Sequence, residues 1–264
     1  MTLLEPAAGR HHRNRVNGWV NGERQGFSHF GHARATLGQN ALGAARVSGT
    51  LFHVEHRLAG FLPQPCVAMR AMPKILVFAG STRQQSLNRR LARAAAGIAR
   101  TAGADTTLLE LSDFDIPLYN ADLEAQGTPA DVVRLKEILH AHAGWIVCSP
   151  EYNGSYTALL KNTIDWASSP VAGHPVWNDG TLPFRGKVVG MLSASPGGLG
   201  GLRSQSHLAP LLINLECWLA PQAFALGHAG NAFDAQDGFV DAAHHGRVRA
   251  VVDQVLWAAA RLGA

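Results

Sequence analysis

The sequence predicts an α/β domain, a doubly wound parallel sheet of five strands with helices on both faces, over residues 73–264. Three observations predict it. Strand-like and helix-like patterns alternate along this stretch. The strand candidates are continuous apolar runs, as strands covered on both faces require. The segments of unusual composition fall just after strands, where such sheets bind ligands.

Taken in order, residues 74–79 form the first strand, built on Ile75-Leu76-Val77-Phe78. Residues 86–101 form the first helix, carried by the strong helix formers around Leu91-Ala92-Arg93-Ala94. Residues 104–110 form a second strand with a Thr-Thr-Leu-Leu centre. Thr128-Pro129-Ala130-Asp131 opens a second helix that runs to about residue 141. The third strand covers 144–149 and the third helix 156–167. The fourth strand covers 187–193, and a helix at 203–219 follows despite Pro210. Residues 222–226 give a short fifth strand, and 240–262 a long closing helix. Each crossover is expected to be right-handed.

The whole-chain charge of +4 hides an asymmetry. Residues 1–72 hold eight Arg, no Lys and three acidic residues, a net +5, whereas the other 192 residues carry 15 basic and 16 acidic side chains, a net −1. The basic character therefore belongs to the N-terminal segment, and the folded part offers no field for nucleic acid. The segment has no sustained periodicity. It is open to three readings: a transit peptide, a basic arm, or, our expectation, translation from a start codon upstream of the true one at Met69 or Met72. We expect it to be a disordered extension. Its six histidines are irregularly spaced, and no Cys/His pattern has zinc spacing, so no metal is expected. Cys66, Cys148 and Cys217 form no C-x-x-C pair, which suits a reducing, cytoplasmic compartment. No apolar run reaches the roughly 20 residues that span a bilayer.

Three loops carry the chemistry. The first, Gly80-Ser81-Thr82-Arg83-Gln84-Gln85-Ser86-Leu87-Asn88, joins a strand to a helix start and is rich in hydroxyls with one Arg. A helix N-terminus offers unpaired N–H groups and a positive dipole end, and hydroxyls and a guanidinium add charge-assisted bonds. No Gly-Lys-Ser/Thr closes a triphosphate loop, and Gly80 is the only glycine, so no G-x-G-x-x-G exists here. A single terminal phosphate, as in FMN, fits; a hydroxyl-rich turn with an N-cap is the plainer alternative. The second loop, Ser149-Pro150-Glu151-Tyr152-Asn153-Gly154-Ser155, ends a strand at Pro150 and turns at Asn153-Gly154. It reads either as a backbone platform for a flat ring or as an ordinary turn. The third, Ser195-Pro196-Gly197-Gly198-Leu199-Gly200-Gly201, reads either as main chain laid against a ligand or a neighbouring subunit, or as a flexible loop.

These motifs together resemble the NADPH-dependent FMN reductase family, the flavodoxin-like group that includes quinone, chromate and azo-dye reductases. The resemblance rests on Gly80-Ser81-x-Arg83-x-x-Ser86-x-Asn88, on Pro150-Glu151-Tyr152-Asn153-Gly154-Ser155 with Leu160-Lys161-Asn162 and Asp165-Trp166, and on Ser195 with Gly200-Gly201. Asp115-Ile116-Pro117-Leu118-Tyr119 also looks like that family's. Residues 1–72 have no counterpart in it.

The resemblance implies strand order 2-1-3-4-5 and bound FMN. Ser81, Arg83, Ser86 and Asn88 would hold the phosphate, and Leu87 between them would also contact the cofactor. Pro150, Glu151, Tyr152, Asn153 and Gly154 would line the ring, and Ser195 and Gly197 would flank it. NADPH would reduce FMN, and a quinone, chromate, azo compound or free flavin would take the electrons. No protein acid or base is required for that transfer, so no catalytic residue is assigned. Arg203 is a candidate for the NADPH 2′-phosphate or a subunit salt bridge. The resemblance further implies a homodimer or homotetramer, with the third loop and the helix after it as contact. Trp177 and His174, in a long connection, are open to capping the flavin, reaching a partner, or lying in a surface loop with Trp177 half-buried. The rival function is a flavodoxin-like electron carrier with a protein partner, which the near-neutral charge disfavours.

Overall fold

The computed structural model describes residues 72–262, so the expectations for the N-terminal segment lie outside the described residues, Met72 excepted. The elements are β1 (Lys74–Ala79), α1 (Leu87–Thr101), β2 (Asp105–Leu109), α2 (Ala121–Glu124), α3 (Ala130–Ala141), β3 (Gly144–Cys148), α4 (Ala158–Ser168), β4 (Val188–Ala194), α5 (Leu202–Asn214), β5 (Trp218–Leu219), β6 (Phe224–Leu226) and α6 (Ala242–Leu262).

Side-chain alternation sorts the central strands into two apolar layers. Ile75, Val77, Ile146, Cys148 and Leu192 face α1 and α6 through Leu91, Ala95, Val251 and Val255. Leu76, Phe78, Trp145, Val147, Val189 and Met191 face α3, α4 and α5 through Leu135, Leu160, Ile164 and Leu208. Both faces are therefore dry, which explains the unbroken apolar runs. Helix α6 lies close on β4: a Cβ at Gly190 would stand 2.7 Å from Val255 Cγ2 and 2.9 Å from Val251 Cγ1.

The strands are parallel, in the order β2-β1-β3-β4-β5, with β6 also on the outer edge of β4. The strand order reverses between β1 and β3, and the crevice at their carboxyl ends is the expected ligand position. The fifth strand comes in two pieces. Trp218 and Leu219 pair with Val188 and Val189, and Phe224 to Leu226 pair with Leu192 to Ala194. Residues 220–223 thus lie opposite Gly190 and Met191 alone. Pro221 has no N–H to give the ladder, and the Gln222 N–H bonds Gln254 Oε1 of α6 at 2.9 Å instead.

The helix expected over 203–219 stops at Asn214, and Glu216 takes a left-handed φ of 64° that turns the chain into β5. Pro210 is tolerated inside α5 on an exposed face. The short α2 was not legible as a helix; Asn120 caps it by accepting from the Asp122 N–H at 2.8 Å.

One corner behind the sheet is closed by a buried cation. Lys136 of α3 is fully buried, and its Nζ donates to Ala167 O at 2.7 Å and Ser169 O at 2.6 Å. These carbonyls are the open acceptors at the C-terminal end of α4, where a cation also meets the negative end of the dipole. Burial pulls the Lys136 ammonium down to about 8, and the Glu124 carboxylate draws it partly back. Glu124 in turn accepts from the Tyr119 hydroxyl at 2.8 Å and contacts Ser169 Oγ. Tyr119 stands edge-on to Trp166, whose Nε1 donates to Pro117 O at 2.8 Å.

Candidate active site

The first loop begins where β1 ends. The Gly80 N–H donates to Cys148 O at 3.0 Å, and Thr157 Oγ1 donates to Gly80 O at 2.7 Å while accepting from the Leu160 N–H at 3.2 Å. Thr157 therefore caps α4 and fastens the first loop to the second. Ser81 is buried, and its Oγ accepts from the Arg83 N–H at 3.3 Å, leaving its hydroxyl hydrogen without an acceptor among the described residues. Ser86 caps α1, accepting from the Arg89 N–H at 3.4 Å. The Leu87 and Asn88 N–H groups lie in the first turn, where no intrahelical carbonyl reaches them.

Three of the four arginines of α1, those in its first two turns, meet carboxylates, and the fourth, Arg100 at the far end, donates to Thr106 O. Arg89 pairs with Glu110 at 2.9 Å, and Arg90 and Arg93 each reach Asp237 at 2.5 Å. Arg83 has no carboxylate partner among the described residues; its NH2 donates only to Gln85 O, at 2.9 Å. The loop therefore keeps one guanidinium, one buried hydroxyl and two helix-start N–H groups uncommitted. That is a donor set for an anion.

Asn88 has another duty than its place in the motif suggested. Its Nδ2 donates to Ala194 O at 2.8 Å and its Oδ1 accepts from the Ala194 N–H at 2.9 Å. The amide thus clamps the start of α1 to the end of β4, and what it leaves for a ligand is the backbone N–H.

In the second loop Asn153 and Gly154 have φ of 52° and 80°, and Tyr152 and Ser155 exchange backbone bonds at 2.9 and 3.1 Å. This is a type I′ turn, for which Asn-Gly is the favoured pair. It holds Tyr152 out from the surface, 57% exposed. Glu151 turns the other way. Its Oε2 accepts from the Arg203 N–H at 3.0 Å and its Oε1 from Arg203 Nε at 2.6 Å. Arg203 is thereby held by a carboxylate of its own chain through Nε and its backbone N–H, while its side chain stays 61% exposed.

The third loop is fixed from below. The Ser195 N–H bonds Leu226 O at 3.1 Å, and Gln205 Nε2 bonds Ser193 Oγ at 2.7 Å and Phe224 O at 2.9 Å. Gly200 has a φ of 63°, and a Cβ there would fall 2.6 Å from the backbone of Ala225, Leu226 and Gly227. Its bareness serves the chain's own packing. Gly197 differs: the nearest atom to a Cβ there is Ser195 Oγ, at 3.8 Å.

The three loops meet in one open cleft of about 270 Å³. Ser81, Arg83, Ser86, Leu87 and Asn88 line one side, Pro150, Glu151 and Tyr152 another, and Ser195 the third, with Ala194 and Pro196 added beyond the residues that sequence reasoning singled out. Asn153, Gly154 and Gly197 do not line it; they shape the turns beside it. A second hollow of about 270 Å³ shares Ser81, Arg83 and Tyr152 and is backed by Thr82, Thr157 and Leu159. Tyr152 and Arg83 stand between the two. Thr157, missed earlier, had a readable signal as the capping hydroxyl before an apolar helix. A larger cleft, about 460 Å³, opens by Glu124 and Pro170, with no arginine or lysine among its lining residues.

Trp177 and His174 take no part in the cleft. Trp177 is 4% exposed, more buried than expected, because it packs edge-on to His140 at 5.5 Å and stacks with His174 at 6.1 Å. His174 Nδ1 accepts from the Val176 and Trp177 N–H groups at 3.1 and 3.0 Å. Cys148 and Cys217 are buried; burial raises both thiols, Cys217 to about 12, so neither is a nucleophile at neutral pH. No helix among the described residues is long and apolar enough to cross a membrane.

Comparison with known proteins follows the same lines. A family model described as NADPH-dependent FMN reductase matches residues 73–231. The chain is 37% identical over 170 residues to an NAD(P)H-dependent FMN reductase of Pseudomonas aeruginosa, covering 64% of this chain and 85% of that one. It is 34% identical over 173 residues to a quinone reductase of Escherichia coli K12, covering 63% and 84%. The solved structure of FerB, a flavoenzyme NAD(P)H:(acceptor) oxidoreductase from Paracoccus denitrificans, matches with a TM-score of 0.62 at 28% identity, over 73% of this chain and 100% of that one.

Proposed function

Because the chain belongs to the NADPH-dependent FMN reductase family, we propose that the cleft where its three loops meet is the FMN site of an NAD(P)H-dependent oxidoreductase. FMN has an anionic tail and a flat, polar-edged ring, and the cleft has ends of both kinds. Arg83, the Ser81 hydroxyl, Ser86 and the Leu87 and Asn88 N–H groups would hold the phosphate. Pro150, Tyr152 and Ser195 would flank the ring, with Glu151, Asn153, Gly154 and Gly197 shaping the backbone around it. The observation that carries the reading is the set of uncommitted donors at the first loop, beside Arg89, Arg90 and Arg93, which are each paired with a carboxylate.

When bound, FMN supplies the redox chemistry, accepting two electrons from NAD(P)H and yielding them to an acceptor. The chain's own part is to bind, orient and leave one face open. The exposure of Tyr152 and the openness of the cleft favour small planar acceptors, quinones first, consistent with the relatives' names. NADPH is the proposed donor. Exposed Leu199 and Leu202, at the head of α5, are the proposed contact between copies in a homodimer or homotetramer, and the cytoplasm is the proposed location.

A visible absorption spectrum of the purified protein, followed by anaerobic NADPH titration, tests the reading. The expected result is a flavin spectrum that bleaches with NADPH and returns with a quinone. Flavin that stays oxidised under NADPH while a protein partner reduces it would favour the carrier reading. Protein that stays colourless in excess FMN would overturn both.

A further inference from the structure

Glu151 is the only carboxylate among the residues lining the cleft, and its side chain is 10% exposed. Such a charge beside the ring position would oppose reduction, because the cofactor gains negative charge as it is reduced. Here the carboxylate does not stand alone. One oxygen takes the Arg203 N–H, a first-turn donor of α5, and the other takes the guanidinium through Nε and NH2. Arg203 itself is 61% exposed, and its Cζ lies 3.9 Å from where a Cβ on Gly154, in the turn after Glu151, would stand. The pair thus joins the second loop to the head of α5 and cancels a charge at the cleft wall.

We propose that Glu151 and Arg203 set the redox balance of bound FMN, with Arg203 neutralising the Glu151 carboxylate so that reduced FMN is not repelled. The proposal rests on the FMN reading above. It assigns Arg203 a positioning and charge-balancing role, in place of the nucleotide or subunit contact that sequence alone suggested. A purely mechanical brace between two loops is the competing role, and the two differ in sign. Removing either partner of a brace loosens the same loops. Removing either partner of a charge pair leaves opposite charges behind.

The test is the two-electron midpoint potential of bound FMN, measured anaerobically against a reference dye, with the affinity for oxidised FMN measured by fluorescence quenching. A unit charge about 10 Å away at an effective dielectric near 20 alters the preference for reduced over oxidised FMN by about fifteenfold at most. Arg203 is largely exposed, so roughly three- to tenfold is expected, or about 15–30 mV for a two-electron couple. Arg203→Met should lower the potential, Glu151→Gln should raise it, and the double variant should return close to wild type. Arg203→Lys keeps the charge without the fork and should stay within about threefold of wild type. Shifts of one sign, or lost affinity with unchanged potential, would overturn the proposal and leave a brace. Wild-type protein that binds FMN while all variants keep its potential removes this proposal alone; wild-type protein that binds none removes the functional reading with it.

Discussion

The two ends of α4 handle polar groups in opposite ways. At its N-terminal end, beside the cleft, Thr157 is tied down but its neighbours Ser81 and Arg83 keep donors free. At its C-terminal end Lys136, Ser169, Glu124 and Tyr119 form a closed set in which each polar group meets another. Both ends are rich in charge and hydroxyls, so composition does not separate them. Commitment does. A set built around a buried lysine with every partner present holds the fold together, and donors left over at a strand end are available to something outside the chain.

The sharpest way to break this comparison is at the closed end. Lys136→Met would orphan two helix-end carbonyls and leave Glu124 without its neighbouring cation. We expect a loss of about 3 kcal/mol in a urea titration, the usual cost of removing one partner of a buried polar set. FMN affinity should change little. A variant that folds normally and loses FMN would reverse the roles of the two ends. The pH dependence adds a signature. Lys136 titrates near 8 in the folded protein, below the ordinary lysine value near 10.5. The penalty for burying its charge is therefore fully present below pH 8 and is relieved as pH rises toward 10.5, because over that window the unfolded chain binds the extra proton. The Lys136 contribution to stability should rise across this window, and the Met variant should lack that rise.

Next in size is Asn88, which belongs to both behaviours. Asn88→Ala would strand the N–H and C=O of Ala194 at the wall of the cleft, costing about 2–3 kcal/mol. FMN affinity should fall with stability, since the clamp joins the first loop to the third. Arg83→Ala, by contrast, should cost about 1.5–3 kcal/mol in FMN affinity, the worth of a hydrogen bond to a charged group. The stability of the FMN-free protein should stay within about 0.5 kcal/mol, because Arg83 is exposed and holds only Gln85 O. Equal effects of Arg83→Ala on stability and affinity would erase the distinction between free and committed donors.

This distinction also marks what the sequence could tell. Apolar runs revealed β1, β3 and β4, because strands covered on both faces have no other way to be built. The loops were legible because serines, prolines and glycines after such runs have few other uses. Partnership was not legible. Nothing local says that Asn88 points at Ala194, 106 residues on, or that Glu151 meets Arg203 across 52. The split edge strand was hidden for a similar reason. Its two short pieces are strands only by pairing with β4, and the left-handed turn at Glu216 that ends α5 carries no glycine to announce it.

The glycines of the third loop give the smallest and most selective test. Gly200 and Gly197 look alike in sequence and differ in surroundings. An Ala at Gly200 would meet backbone atoms at 2.6 Å in a left-handed conformation, so it must displace the loop or β6. An Ala at Gly197 has open space and an ordinary φ. Gly197→Ala should therefore leave stability within about 0.5 kcal/mol, with the reduced entropy of the unfolded chain acting slightly in its favour. If main chain here lies against the flavin ring, the added methyl should lower FMN affinity by a few-fold, about 1 kcal/mol or less. Unchanged affinity would confine the third loop's share of the site to Ala194, Ser195 and Pro196. A large loss of stability would mean that Gly197, like Gly200, is bare for the sake of the chain's own packing.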